Sequence, residues 1–132
     1  MTEFRAELHS LQAMIAWIRE RTQSLGFSPQ DFRKIELALE EALVNVIYHA
    51  YKGKPGMIEL DCHVSNKKVT FIIKDKGPPF NPLLQSVRIA VPESLEEQKE
   101  GGLGIVLIRR YMDEVHYARE DAHNVLTLVK HC

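Results

Sequence analysis

Three groups of residues have types and spacings that could do chemistry. Glu41 and Asn45 lie four apart, so on a helix their Cβ atoms sit about 5–6 Å from one another on one face. A carboxylate there can orient and deprotonate an attacking hydroxyl. The asparagine offers a neutral carbonyl oxygen, which suits magnesium, an ion that keeps several waters and takes few protein ligands beside substrate phosphates. His49, a further turn along, reaches either the same site or the helix end. A solvated helix face carries the same Glu-x-x-x-Asn spacing, so the pair alone decides nothing.

The second group is Asp75-Lys76-Gly77-Pro78-Pro79-Phe80, directly after a strand pattern. An aspartate at a strand end can accept a hydrogen bond from an exocyclic amino group, and Gly77 lets backbone approach a flat ring. The same residue types also make ordinary turns. The third group is Gly101-Gly102-Leu103-Gly104-Ile105, opening a helix. Glycines free the backbone to wrap a phosphate, and a helix N-terminus supplies unpaired N–H groups with positive partial charge. A hinge with close helix packing uses the same glycines. The P-loop pattern and the dinucleotide fingerprint are both absent, so a nucleotide site here is of another kind.

These groups need elements to hold them. Leu8, Leu11, Ile15 and Ile18 mark one face of a first helix over about residues 8–25, with Trp17 off that stripe and partly packed. Gly26 fits as its stop. Ser28-Pro29-Gln30-Asp31 opens a second helix through N-cap, first-turn proline and first-turn acid. That helix runs to about Tyr51 on the stripe Phe32, Ile35, Leu39, Leu43, Val46 and Ala50. Strands are expected over 57–64 and 69–74 as a hairpin, and over 115–119 and 125–130 as another, with a helix over 101–112 between them. The stretch 76–102 is too long for a simple connector and is expected to be a lid, with a solvated charged tract over 93–100. Helices first and a mostly antiparallel mixed sheet after them argue for one α/β (α+β) two-layer sandwich over residues 1–132, not a βαβ unit.

Composition narrows the classes. The 132 residues are 45% hydrophobic and 27% charged with a formal net charge of −1, a globular balance without a basic footprint for nucleic acid. No apolar run has the roughly 20 residues of a membrane span, and residues 1–5 lack a secretory layout. Cys62 and Cys132 are too few for a disulfide scaffold. The scattered histidines lack metal-ligand spacing, and no nucleophile elbow appears. A cytoplasmic location is expected.

In this order the three groups resemble a known superfamily. Glu41-Ala42-Leu43-Val44-Asn45-Val46-Ile47-Tyr48-His49-Ala50-Tyr51 looks like the N-box of the histidine-kinase-like (GHKL) ATPases. Asp75-x-Gly77-x-x-Phe80 looks like the first glycine box and Gly102-x-Gly104 the second. The run from Gly101 to Val115, with Tyr117-x-Arg119 and Asn124-x-Leu126, is closer still to the anti-sigma factor serine kinases of the RsbW and SpoIIAB type. The resemblance implies a Bergerat-type fold holding ATP and Mg²⁺ beneath a mobile lid. It implies Asn45 as the magnesium ligand and Glu41 as the catalytic base or orienting group. It places Asp75 at the adenine amino group, with His49, Gly77 and Phe80 around the nucleotide and Gly101, Gly102, Leu103 and Gly104 at the phosphates. Its implied partners are an anti-anti-sigma protein of the STAS type, as phosphoacceptor, and a sigma factor, with a homodimer compatible. A nucleotide-gated binding module of the same fold, with little phosphoryl transfer, is the alternative. Thr2 to Glu7 leaves little room for the first strand usual in that family.

Overall fold

The computed structural model describes residues 1–52, 54–65, 67–83 and 103–131. A 3₁₀ turn at Leu8–Ser10 leads into helix α1, Leu11–Thr22, and a second at Gln23–Leu25 leads out. Gly26 ends the segment with φ +73°, the left-handed conformation that glycine adopts without steric cost. Met14, Ile15, Ile18 and Thr22 are buried, while Leu8 is 48% exposed, so the apolar face begins one turn later than its spacing suggests. Trp17 is half-buried beneath the Arg21 guanidinium, 3.9 Å from the ring centre.

Helix α2, Pro29–Asn45, starts as its sequence prescribes, with Ser28 Oγ accepting the Asp31 N–H at 3.1 Å. Ile35, Ala38, Leu39, Ala42 and Leu43 give it a buried face. A π-helical turn, Val46–Ala50, continues it, so the long helix is one element with a changed last turn. Glu36, with only 8% of its side chain exposed, accepts from Arg19 and Arg33 and ties α1 to α2.

Among the described residues five strands form the sheet: β1 Thr2–Arg5, β2 Met57–Ser65, β3 Lys68–Asp75, β4 Glu114–Glu120 and β5 His123–His131. Their spatial order is β1-β2-β3-β5-β4, and each neighbouring pair is antiparallel. The sheet is therefore not mixed among the described residues. β1 corrects a sequence expectation, since residues 2–5 do form a strand against the outer edge of β2, with Phe4 opposite Ile58. Helix α3, Leu103–Tyr111, lies between β3 and β4 in sequence and packs along α2.

Both hairpins close through left-handed residues. Lys67 has φ +59° in the first, and Asp121 and Ala122 have φ +50° and +62° in the second. Two consecutive positive-φ residues are what a type I′ loop requires. Alternation along β2, β3 and β5 puts Ile58, Leu60, Val69, Phe71, Ile73, Leu126 and Leu128 on one face, where they meet α1, α2 and α3 in a single core. The result is a helical layer on one face of an antiparallel sheet.

Candidate nucleotide site

The site begins where the buried face of the sheet runs out. Asp75 is the last residue of β3, in register with Asn124 of β5, and both occupy the inward parity that Phe71, Ile73, Leu126 and Leu128 fill with apolar side chains. Asp75 is only 3% exposed and Asn124 only 4%. Two buried polar groups at adjoining positions need partners, and they find each other. Asn124 Nδ2 donates to Asp75 Oδ1 at 2.9 Å and to the Pro78 carbonyl at 2.9 Å. Its Oδ1 accepts from the Phe80 N–H at 3.1 Å and from the Tyr117 hydroxyl at 2.5 Å. Gly77 N–H also donates to Asp75 Oδ1, at 2.9 Å, and Arg119 Nη1 donates to the Gly77 carbonyl at 2.7 Å. Burial raises the Asp75 carboxyl above its usual range, opposed by the Asn124 and Gly77 bonds and by the charges of Arg119 and His123.

This strand end is also fixed to α2. A Cβ on Gly77 would lie 2.6 Å from the Ala50 carbonyl oxygen, so the close approach that demands glycine here is to the last turn of that helix. Tyr51, the next residue, receives the Lys76 N–H at 2.8 Å and donates to the Met57 carbonyl at 2.6 Å. His49 stacks on Phe80, with ring centres 5.3 Å apart and planes 25° from parallel. The N-box end and the Asp75–Phe80 segment thus form one contiguous structure, which carries four of the sequence-predicted site residues, His49, Asp75, Gly77 and Phe80.

Further back along α2, Asn45 is 2% exposed and Glu41 is half-buried. They do not sit off the packing side on a solvated face. Asn45 Nδ2 is buried without a hydrogen-bond partner, a position of net cost unless something else fills it. Turned by 180°, the amide presents its oxygen at that same spot. Glu41 has its carboxyl pushed up, first by desolvation and then by the neighbouring Glu40. Asn45 precedes Ala50 by five residues, across the π-helical turn.

Gly101 and Gly102, like most of the expected lid over 76–102, lie outside the described residues. Leu103 and Gly104 are the first described residues of α3. Tyr117, Arg119 and Asn124 belong to the pattern that carries the family resemblance, but residue-type reasoning gave them no role in the site. Their signal was a polar residue at an inward strand position, visible only once the pairing of β5 with β3 is known.

The chain matches the model of the histidine kinase-like ATPase domain over residues 4–130. It is 34% identical over 98 residues to the serine/threonine-protein kinase BtrW of Bordetella bronchiseptica, covering 74% of this chain and 68% of that protein. It is 32% identical over 111 residues to the serine-protein kinase RsbW of Halalkalibacterium halodurans, covering 80% of this chain and 66% of the relative. The chain thus spans about two thirds of the length of these curated relatives. Among solved structures, the catalytic domain of the histidine kinase ThkA superposes with TM-score 0.54 at 16% identity, covering 99% of this chain and 96% of that one. The Acinetobacter baumannii histidine kinase AdeS gives TM-score 0.52 at 14% identity, covering 99% and 68%. At such identities the structural likeness speaks for the fold alone. The buried Asp75–Gly77 strand end, the α2 pair and the family match converge: this chain belongs to the histidine kinase-like ATPase domain family, in the kind found in serine/threonine-protein kinases.

Proposed function

We propose that this domain is a Mg·ATP-dependent serine kinase that phosphorylates an anti-anti-sigma protein of the STAS type and sequesters a sigma factor. The observation that carries the catalytic part is the α2 pair. Asn45 holds a buried, unpartnered amide end, and one turn away Glu41 holds a carboxyl raised above its usual range. A neutral side-chain oxygen beside phosphates is the donor that magnesium accepts. When bound, magnesium would neutralise phosphate oxygens and so favour the leaving group.

The remaining work falls to the chain. Asp75 accepts the adenine amino group, and Phe80 and His49 wall the base. The Gly101–Gly104 run supplies backbone donors to the phosphates. Glu41 orients the acceptor serine hydroxyl and takes its proton as the oxygen–phosphorus bond to the γ-phosphoryl group forms and the bond to the bridging oxygen of ADP breaks. A raised pKa makes that carboxylate a better base. Both proteins it would act on are cytoplasmic, and among the described residues no helix is long and apolar enough to cross a membrane.

The test is transfer from γ-labelled ATP to a purified STAS protein from the source organism, comparing the native protein with Glu41→Gln. The expected result is labelled phosphoserine with native protein and a loss of at least about a hundredfold with the variant. Equal labelling by both would remove Glu41 from the chemistry. Intact ATP binding with no label from either would favour the nucleotide-gated binding module.

A further inference from the structure

Asn124 spends three of its four side-chain hydrogen bonds on the segment that carries Asp75. Its two donor bonds go to Asp75 Oδ1 and the Pro78 carbonyl, and its oxygen takes the Phe80 N–H and the Tyr117 hydroxyl. The distribution on Asp75 is uneven. Both donors to that carboxylate, Asn124 Nδ2 and Gly77 N–H, fall on Oδ1. Among the described residues no hydrogen bond falls on Oδ2, and that atom is not among the fully enclosed polar atoms without a partner. One carboxylate oxygen is locked and the other is left as a lone acceptor at the strand end.

We infer that Asn124 is a positioning residue for base selection: by holding Oδ1 it presents Oδ2 as an acceptor only, which favours an adenine nucleotide over a guanine nucleotide. The inference rests on the nucleotide reading given above. Adenine offers an amino group where guanine offers a carbonyl oxygen, and a fixed carboxylate attracts the first and repels the second. Without the Asn124 donor the buried Asp75 carboxyl has less to keep it ionised. A protonated, rotatable carboxyl can donate to the guanine oxygen, so discrimination falls, and falls further in acid. The charged and titratable groups facing Asp75 are Arg119 from β4, His123 from β5 and the Tyr51 hydroxyl beyond α2. They are common to native and variant protein, so the comparison between the two isolates Asn124.

The experiment measures ATP and GTP affinities of the native protein, Asn124→Leu and Asp75→Asn at pH 6 and pH 8.5, with melting curves without nucleotide. The expected result for Asn124→Leu is an ATP-over-GTP preference reduced about tenfold at pH 6 and partly restored at pH 8.5. Tyr117→Phe, which removes one bond to Asn124 and keeps the ring, should shift the preference the same way by about threefold. It decides the matter if Asn124→Leu does not fold. An unchanged preference, or an equal loss of ATP and GTP binding at both pH values, would overturn the inference while leaving the nucleotide site intact. A native protein without ATP preference, or Asp75→Asn without effect, would overturn the nucleotide reading itself and this inference with it.

Discussion

Asn45, the magnesium ligand proposed above, works against the stability of the fold that holds it. Its side chain is almost fully buried and its Nδ2 has no partner. A buried polar group without a partner costs roughly 1–3 kcal/mol relative to one that is satisfied. Asn45→Leu replaces it with an apolar side chain of similar size, and should raise the melting temperature of the nucleotide-free domain by about 3 °C. The same variant should lose the magnesium dependence of ATP binding. A lower melting temperature would mean that the amide is satisfied in solution, and retained magnesium dependence would place the ion elsewhere. Glu41 adds a pH signature. Its folded pKa is raised by burial and by Glu40, so as pH rises from below the ordinary carboxylate range through that raised value, the cost of charging it destabilises the fold. Transfer activity runs the other way and is lost as pH falls through the same value. In Glu41→Gln the Glu41 share of that loss of stability should vanish while the share from the raised Asp75 carboxyl remains, which thermal melts between pH 4 and 7 would detect.

At the level of elements, the joint between the end of α2 and the end of β3 governs the site. The Ala50 carbonyl fills the space where a Cβ on Gly77 would stand, at 2.6 Å. Because the obstacle is backbone, Gly77→Ala forces the two elements apart and should cost about 1–3 kcal/mol. ATP affinity should drop with it, since Asp75 and Phe80 travel on the same segment. Ala50→Gly should not rescue the variant, because it leaves the offending carbonyl in place, and a rescue seen by melting or by ATP titration would refute this account. The starts and stops of these elements were legible in local chemistry, as at Ser28-Pro29 and Gly26. β1 was not, because four residues with no turn signal become a strand only through β2, more than fifty positions away. The turn at Asp121 and Ala122 was located by the strand patterns on either side of it, but its left-handed type was hidden, since alanine is not a residue that advertises positive φ. The role of Asn124 was hidden for the same reason as β1. Its meaning lies in its register against Asp75, and the register follows from a pairing between strands separated by a helix.

For the molecule as a whole, the site is assembled from parts distant in sequence: α2 and its π turn, the end of β3, and the β4–β5 hairpin. Each of these elements also belongs to the one hydrophobic core. A ligand that binds across them binds only the folded chain, so its binding free energy adds to the stability of the entire domain. With Mg·ATP at a hundred times its dissociation constant the gain is about 2.7 kcal/mol, which for a domain of this size corresponds to roughly 8 °C in melting temperature. The core is shared, so unfolding should stay a single transition that moves as a unit. Hydrogen exchange should slow along β3 and β5 as well as at the α2 pair. Protection confined to α2, with the sheet unaffected, would mean that the nucleotide touches only the Asn45 end and that Asp75 does not engage the base. Protection of β3 and β5 that appears with ATP and not with GTP would place base selection at the Asp75–Asn124 pair, as the uneven bonding of that carboxylate requires.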